Sequence, residues 1–137
     1  MANNTIGTFI SPTQAASNLL AFFNDNKLDP NNPTVVSGHI LGLTKIKEFL
    51  QKIEDYNAAN PALPIDGVRT YQARSVQTIN GSPQTVDDIF LMPILSDGTD
   101  LYPVYPETTA AKVTATGDDG VILGNSRPCP NLCGGGA

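Results

Sequence analysis

Gly67-Val68-Arg69-Thr70-Tyr71-Gln72-Ala73-Arg74-Ser75-Val76, then Asn80-Gly81, then Ile89-Phe90-Leu91-Met92-Pro93-Ile94-Leu95, is the stretch that decides the fold. From Ile65 onward the pattern has period two, as in a strand with two unlike faces. Val68, Thr70 and Gln72 fall on one face, and Arg69, Tyr71 and Ala73 on the other. Asn80-Gly81 is a hairpin signal. Ser82-Pro83-Gln84 is expected to lengthen that loop. Ile89–Leu95 reads as a second, more buried strand. Pro93 suggests that it bulges or ends near there, since proline has no N–H to give to a ladder. Asp66-Gly67 and Asp97-Gly98 read as turns. Leu101-Tyr102-Pro103-Val104-Tyr105 reads as a third, short edge run, and Val121-Ile122-Leu123 as a last strand.

Upstream the period changes to that of a helix. Ser11 suits an N-cap, Pro12 the first helical position, and Gln14 completes a capping-box pattern. Ala16, Leu19, Leu20 and Phe23 then mark one buried stripe, which Ala15 and Phe22 widen, and Asn24-Asp25-Asn26 ends the helix. A loop with Asp29-Pro30 and Asn32-Pro33 follows, and Thr34–Ser37 reads as a short strand. Leu43, Ile46, Leu50, Ile53 and Asn57, flanked by Phe49 and Tyr56, define a second helix that Asn60-Pro61 stops. Glu48 and Lys52 make a favourable pair on its outside.

The 137 residues fit one domain, read as an N-terminal arm (1–10), a helical half (11–60), a β half (65–125) and a Cys/Pro/Gly tail (126–137). The net charge is −5 and the basic residues are scattered, which argues against nucleic acid and against an anionic membrane surface. No apolar run approaches the roughly 20 residues of a membrane span. The N-terminus lacks the basic segment and apolar core of a secretory signal, so a cytoplasmic protein is expected.

The order of motifs resembles that of a group of short, uncharacterised bacterial proteins. A helix of the Leu43–Tyr56 kind precedes Gly67-Val68-Arg69-Thr70-Tyr71, then Phe90-Leu91-Met92-Pro93, then Cys129-Pro130-Asn131-Leu132-Cys133. The group carries a Gly-Ile/Val-Arg-Ile-Tyr strand, a strand ending in proline and a terminal Cys-Pro-Pro-x-Cys. The likeness runs from about Leu43 to Cys133, and the chain departs from the pattern at Thr70 and Asn131. The resemblance implies a shared fold and no reaction.

Three sets of residues are candidates for function. Cys129 and Cys133 form a Cys-x-x-x-Cys pair that can be a redox pair, half a metal site with His39, or two thiols packed into the domain. Zinc wants four ligands, or three in a catalytic site, and spacing marks no further one. A reducing cytosol disfavours a structural disulfide. Packed thiols are therefore the leading reading. His39 stands without a nucleophile motif, so its plain reading is a local hydrogen bond. Arg69, Tyr71 and Arg74 are the candidate binding residues, because an Arg beside a Tyr anchors anions or partners. Their plain reading is an Arg paired with a carboxylate while Tyr71 packs under a helix. Asp87-Asp88, Asp97, Asp100 and Asp118-Asp119 read as solvated turns, since no calcium-loop signature is present. Gly117-Asp118-Asp119-Gly120 lacks the Lys-Ser/Thr of a phosphate loop.

The expectation is an α+β fold, with two amphipathic helices packed on a small, mainly antiparallel sheet. No catalytic set and no cofactor motif is found. The expected role is a non-catalytic cytoplasmic interaction or structural module, open to self-association or a protein partner. The alternative is a redox-responsive or metal-dependent protein acting through Cys129 and Cys133.

Overall fold

A computed structural model describes residues 3–29, 31–32, 35–104 and 120–129. The elements run α1 (Pro12–Asp25), β1 (Gly38–Ile40), α2 (Leu43–Ala59), β2 (Ile65–Ile79), β3 (Ser82–Leu95) and β4 (Arg127–Cys129). The class is α+β. The strands pair antiparallel as two two-stranded sheets, β1–β4 and β2–β3, rather than as one. The chain groups into two compact units: Met1–Ile6 with Leu41–Ser126, and Gly7–Ile40 with Arg127–Ala137. No described helix is long and apolar enough to cross a membrane.

The β2–β3 hairpin dominates the first unit. Asn80 and Gly81 have φ of 51° and 81°, the two positive values that a two-residue turn of the I′ kind requires. Ile79 therefore pairs with Ser82 and Thr78 with Pro83, so Ser82-Pro83-Gln84 belongs to the strand and does not lengthen the loop. Asp66-Gly67, expected as a turn, lies within β2, with a register shift between Ile65 and Gly67.

The ladder also explains why β3 runs through Pro93 to Leu95. Leu91 exchanges its N–H and C=O with Leu123, at 2.8 and 3.3 Å, so its main chain turns away from β2. Pro93, two residues on, faces the same way, and its carbonyl accepts from the Leu101 N–H at 2.9 Å. A proline there removes no bond from the β2–β3 ladder. Pro83 shares that parity. The third strand expected over Leu101–Tyr105 reduces to a single bridge between Ile94 and Asp100, and Tyr105 lies outside the described residues. Val121–Leu123 likewise gives one bridge, Leu91 to Leu123.

In α2 the buried line is rotated from the expected one. Phe49 is buried while Leu43 and Leu50 stay exposed, so the inward row is Ile46, Phe49, Ile53 and Tyr56. The surface pair is Lys45 with Glu48 at 3.2 Å, rather than Glu48 with Lys52. At the far end, the Asn57 side chain donates to the Ile65 carbonyl and accepts from the Ile65 N–H. This fastens α2 to the start of β2. Among the described residues of this unit, Phe49, Ile65, Met92, Pro93, Ile94 and Val121 are buried apolar side chains.

In the second unit, Ser11 caps α1 as expected, its Oγ accepting from the Gln14 N–H at 3.0 Å. The Gln14 amide turns instead to Asn18, at 2.7 Å. Phe23 is buried, but Leu19, Leu20 and Phe22 remain 46%, 53% and 42% exposed, so the expected stripe is only partly covered. The extended segment before α2 falls at Gly38–Ile40, later than the Thr34–Ser37 expected from sequence, and Thr34 itself is outside the described residues.

Candidate functional site

Two groups of polar side chains meet on the hairpin, and alternation decides which residues each contains. From Thr70 to Ile79 the odd positions of β2 are half-buried and the even ones exposed. Arg69 and Tyr71 thus share a face, as expected, and Arg74 lies on the other.

Asp100 completes the Arg69–Tyr71 pair. The Asp97-Gly98-Thr99 turn sets its position: Asp97 Oδ1 accepts from the Thr99 N–H at 3.0 Å and from Thr99 Oγ1 at 2.6 Å, and Gly98 takes φ of 90°. The Thr99 hydroxyl and N–H hold the Asp97 carboxyl below its ordinary pKa. Asp100 then bridges to Ile94 and reaches across to β2. Arg69 Nη1 lies 2.8 Å from Asp100 Oδ1 and 3.1 Å from the Tyr71 hydroxyl, which itself donates to Asp100 Oδ2 at 2.5 Å. The Asp100 side chain is 6% exposed and that of Arg69 47%. Burial, reinforced by the bond to Asp100, pushes the Tyr71 phenol above its usual pKa, so Tyr71 stays a donor at neutral pH. The bond with Tyr71 and the charge of Asp100 raise Arg69 in turn. The Tyr71 ring packs on Phe90, with centroids 5.1 Å apart.

This cluster borders a cleft of about 470 Å³ at the root of the hairpin, walled by Asn3, Asp66, Gly67, Arg69 and Ile94. Asp66 holds the N-terminal segment there. Its carboxylate accepts from Asn3 Nδ2 at 2.9 Å and from the Asn3 N–H at 3.3 Å. Gly67 admits Asn3 closely: a Cβ at that position would lie 3.2 Å from the Asn3 Cβ.

Arg74 does not join the cluster. It pairs across the strands with Asp87 at 2.9 Å and donates to the Thr85 carbonyl at 3.4 Å. Its partner is the carboxylate of the plain reading.

The second polar group centres on Asp88, expected in a solvated turn and in fact buried. Its Oδ1 accepts from the Ser126 N–H at 2.8 Å and from Ser126 Oγ at 2.6 Å, and its Oδ2 from the Asn125 N–H at 3.2 Å. Gln77 Nε2 adds a bond to the Ser126 carbonyl at 2.8 Å. Burial alone would raise the Asp88 carboxyl. The donors of Ser126, Ser75 and the Ile89 main chain together outweigh it and hold the pKa below the ordinary value. Asp88 is thus the clasp that holds Asn125 and Ser126 on β3. Strand alternation continued two residues before Phe90 was the sequence signal for its inward placement. Nothing local marked Asp100, whose partners lie 29 and 31 residues away.

In the second unit the β1–β4 register pairs His39 with Pro128 and Gly38 with Cys129, which brings the main chains of His39 and Cys129 onto adjacent strands. Cys133 and the rest of the tail lie outside the described residues. Among the described residues no three His, Cys, Asp or Glu side chains are grouped to hold a metal.

No protein-family model matches the chain, and no curated protein or solved structure is significantly similar to it.

Proposed function

We propose that this protein is a non-catalytic cytoplasmic interaction module that engages a protein through the open edge of β2. One observation supports the reading. Thr70 stands opposite Leu91, whose main chain turns outward, so the Thr70 N–H and C=O turn outward from the other side of the hairpin. The same holds for Val68, Gln72, Arg74, Val76 and Thr78. Among the described residues no strand pairs with this edge. A row of outward main-chain donors and acceptors is what strand addition uses. The Arg69–Tyr71–Asp100 cluster beside the root of the edge supplies a half-exposed guanidinium as a polar anchor in the same reading.

The test is hydrogen exchange on the full chain, alone and with whatever protein it co-purifies with. The Val68–Thr78 amides of outward parity should exchange quickly alone and become protected in the complex. Equal exchange in both states would sink the reading.

The second reading, redox or metal chemistry through Cys129 and Cys133, draws support from the register that sets Cys129 beside the strand of His39. Thiol titration and elemental analysis test it; two unreactive thiols with no bound metal would remove it. Membership in the group of short bacterial proteins with a Gly-Ile/Val-Arg-x-Tyr strand and a terminal Cys-Pro-x-x-Cys motif is part of the proposal.

A further inference from the structure

We propose that the β2 edge pairs with the β2 edge of a second copy of this chain, antiparallel about a twofold axis at Ala73. The inference rests on the interaction reading above and names the partner.

Three observations carry it. The first is which edge is open among the described residues. Asn57 closes the β2 edge at Ile65. The outer edge of β3 is engaged by Thr99, Leu101 and Leu123 and carries Pro83 and Pro93. Between them, Val68 to Ile79 contains no proline and no lysine, the residues that usually guard a free edge.

The second is self-complementarity. The register that uses the whole of Val68–Thr78 sets Val68 opposite Thr78, Thr70 opposite Val76 and Gln72 opposite Arg74 of the other copy. All of these have outward main chains, so each facing pair exchanges both of its hydrogen bonds. The β-branched pairs favour a sheet surface. On the other face, Arg69 meets Gln77, Tyr71 meets Ser75, and Ala73 meets its own copy.

The third is charge. No two arginines face each other in this register, and Arg74 is already neutralised by Asp87 at 2.9 Å. Centring the axis on Arg74 instead would set that residue against itself. A two-stranded ribbon is also marginal by itself, and the pairing converts two of them into one four-stranded sheet.

The experiment is sedimentation equilibrium of the full chain over a range of concentrations, with Gln72→Pro as the variant. The Gln72 nitrogen faces outward as that of Pro93 does, so proline removes an interface donor and no β2–β3 bond. The parent should reach twice the chain mass. Gln72→Pro should stay monomeric at those concentrations, with an unchanged far-ultraviolet circular dichroism spectrum. Spin labels on the full chain, with Cys129 and Cys133 replaced by serine, give an independent reading that survives if Gln72→Pro fails to fold. Labels at Gln72 should lie close together across the axis, and labels at Thr78 roughly 34 Å apart along the strands, at about 3.4 Å per residue. A parent that is monomeric throughout overturns the pairing while leaving a different protein partner to the interaction reading. A dimer with distant Gln72 labels overturns the pairing while supporting self-association by another surface.

Discussion

The side-chain amide of Asn57 and the main chain of Ile65 exchange two hydrogen bonds, 2.9 Å from Asn57 Nδ2 to the Ile65 carbonyl and 2.7 Å from the Ile65 N–H to Asn57 Oδ1. A side chain here stands in for a neighbouring strand. Asn57→Ala leaves both Ile65 groups without their partner in a partly buried place, and should cost about 2–3 kcal/mol. Asn57→Asp keeps the acceptor and loses the donor, and should fall between the parent and alanine. Urea denaturation of the three chains measures the order; an alanine variant as stable as the parent would refute the bracket's role.

Asp88 makes stability depend on acid. Its folded pKa is lowered by the Ser126 and Ser75 donors, which outweigh burial. The unfolded chain therefore binds the proton more readily. The contribution is present above the unfolded value of about 3.9 and is lost as pH falls through the folded value. Asp88→Asn should be less stable than the parent at neutral pH, and its stability should fall less steeply below about pH 4. Denaturation midpoints across that range decide; parallel pH curves would exclude Asp88 as the source.

Tyr71 should titrate late. Burial and the bond to Asp100 raise it above the ordinary phenol, so its contribution to stability is complete below about pH 10 and is lost as pH rises through the folded value. Ultraviolet titration of the parent, compared with Tyr71→Phe, isolates this one phenol. Asp100→Asn should move its midpoint downward. A Tyr71 that titrates together with the other tyrosines would contradict the cluster.

Gly81 carries the hairpin turn at φ of 81°. Gly81→Ala places a Cβ in the left-handed region and should cost about 1–2 kcal/mol. Asn80→Gly at φ of 51° should change stability by less than that. Thermal unfolding separates the two, and an alanine variant with an unshifted midpoint would count against the turn assignment.

What was legible in the sequence follows the range of each signal. Local signals read correctly: the Ser11 cap, the Asn80-Gly81 turn and the alternating faces of β2. The end of β3 near Pro93 was legible, since the strand stops at Leu95; why a proline sits inside the pairing was not, because its cost depends on which way its nitrogen faces, a property of pairing that is absent from composition. The α2 face came out rotated because Phe49 and Leu50 both fit a helical period, and only packing selects between them. Arg69 and Tyr71 were recognisable as a pair through alternation. Asp88 was missed because the strand was read to begin only at Ile89, which left its alternation unused, and Asp100 because its partners lie 29 and 31 residues away.

The prolines of β3 have one more consequence. In the proposed dimer, antiparallel pairing through β2 would leave the β3 strands as the two outer margins of the enlarged sheet. On each margin the nitrogens of Pro83 and Pro93 face outward with no hydrogen to offer, and Leu91 is already bonded to Leu123. Neither margin can template a further strand along its length. An assembly built on the proposed pairing would therefore stop at two copies, with Pro83 and Pro93 standing against open-ended growth into a fibre.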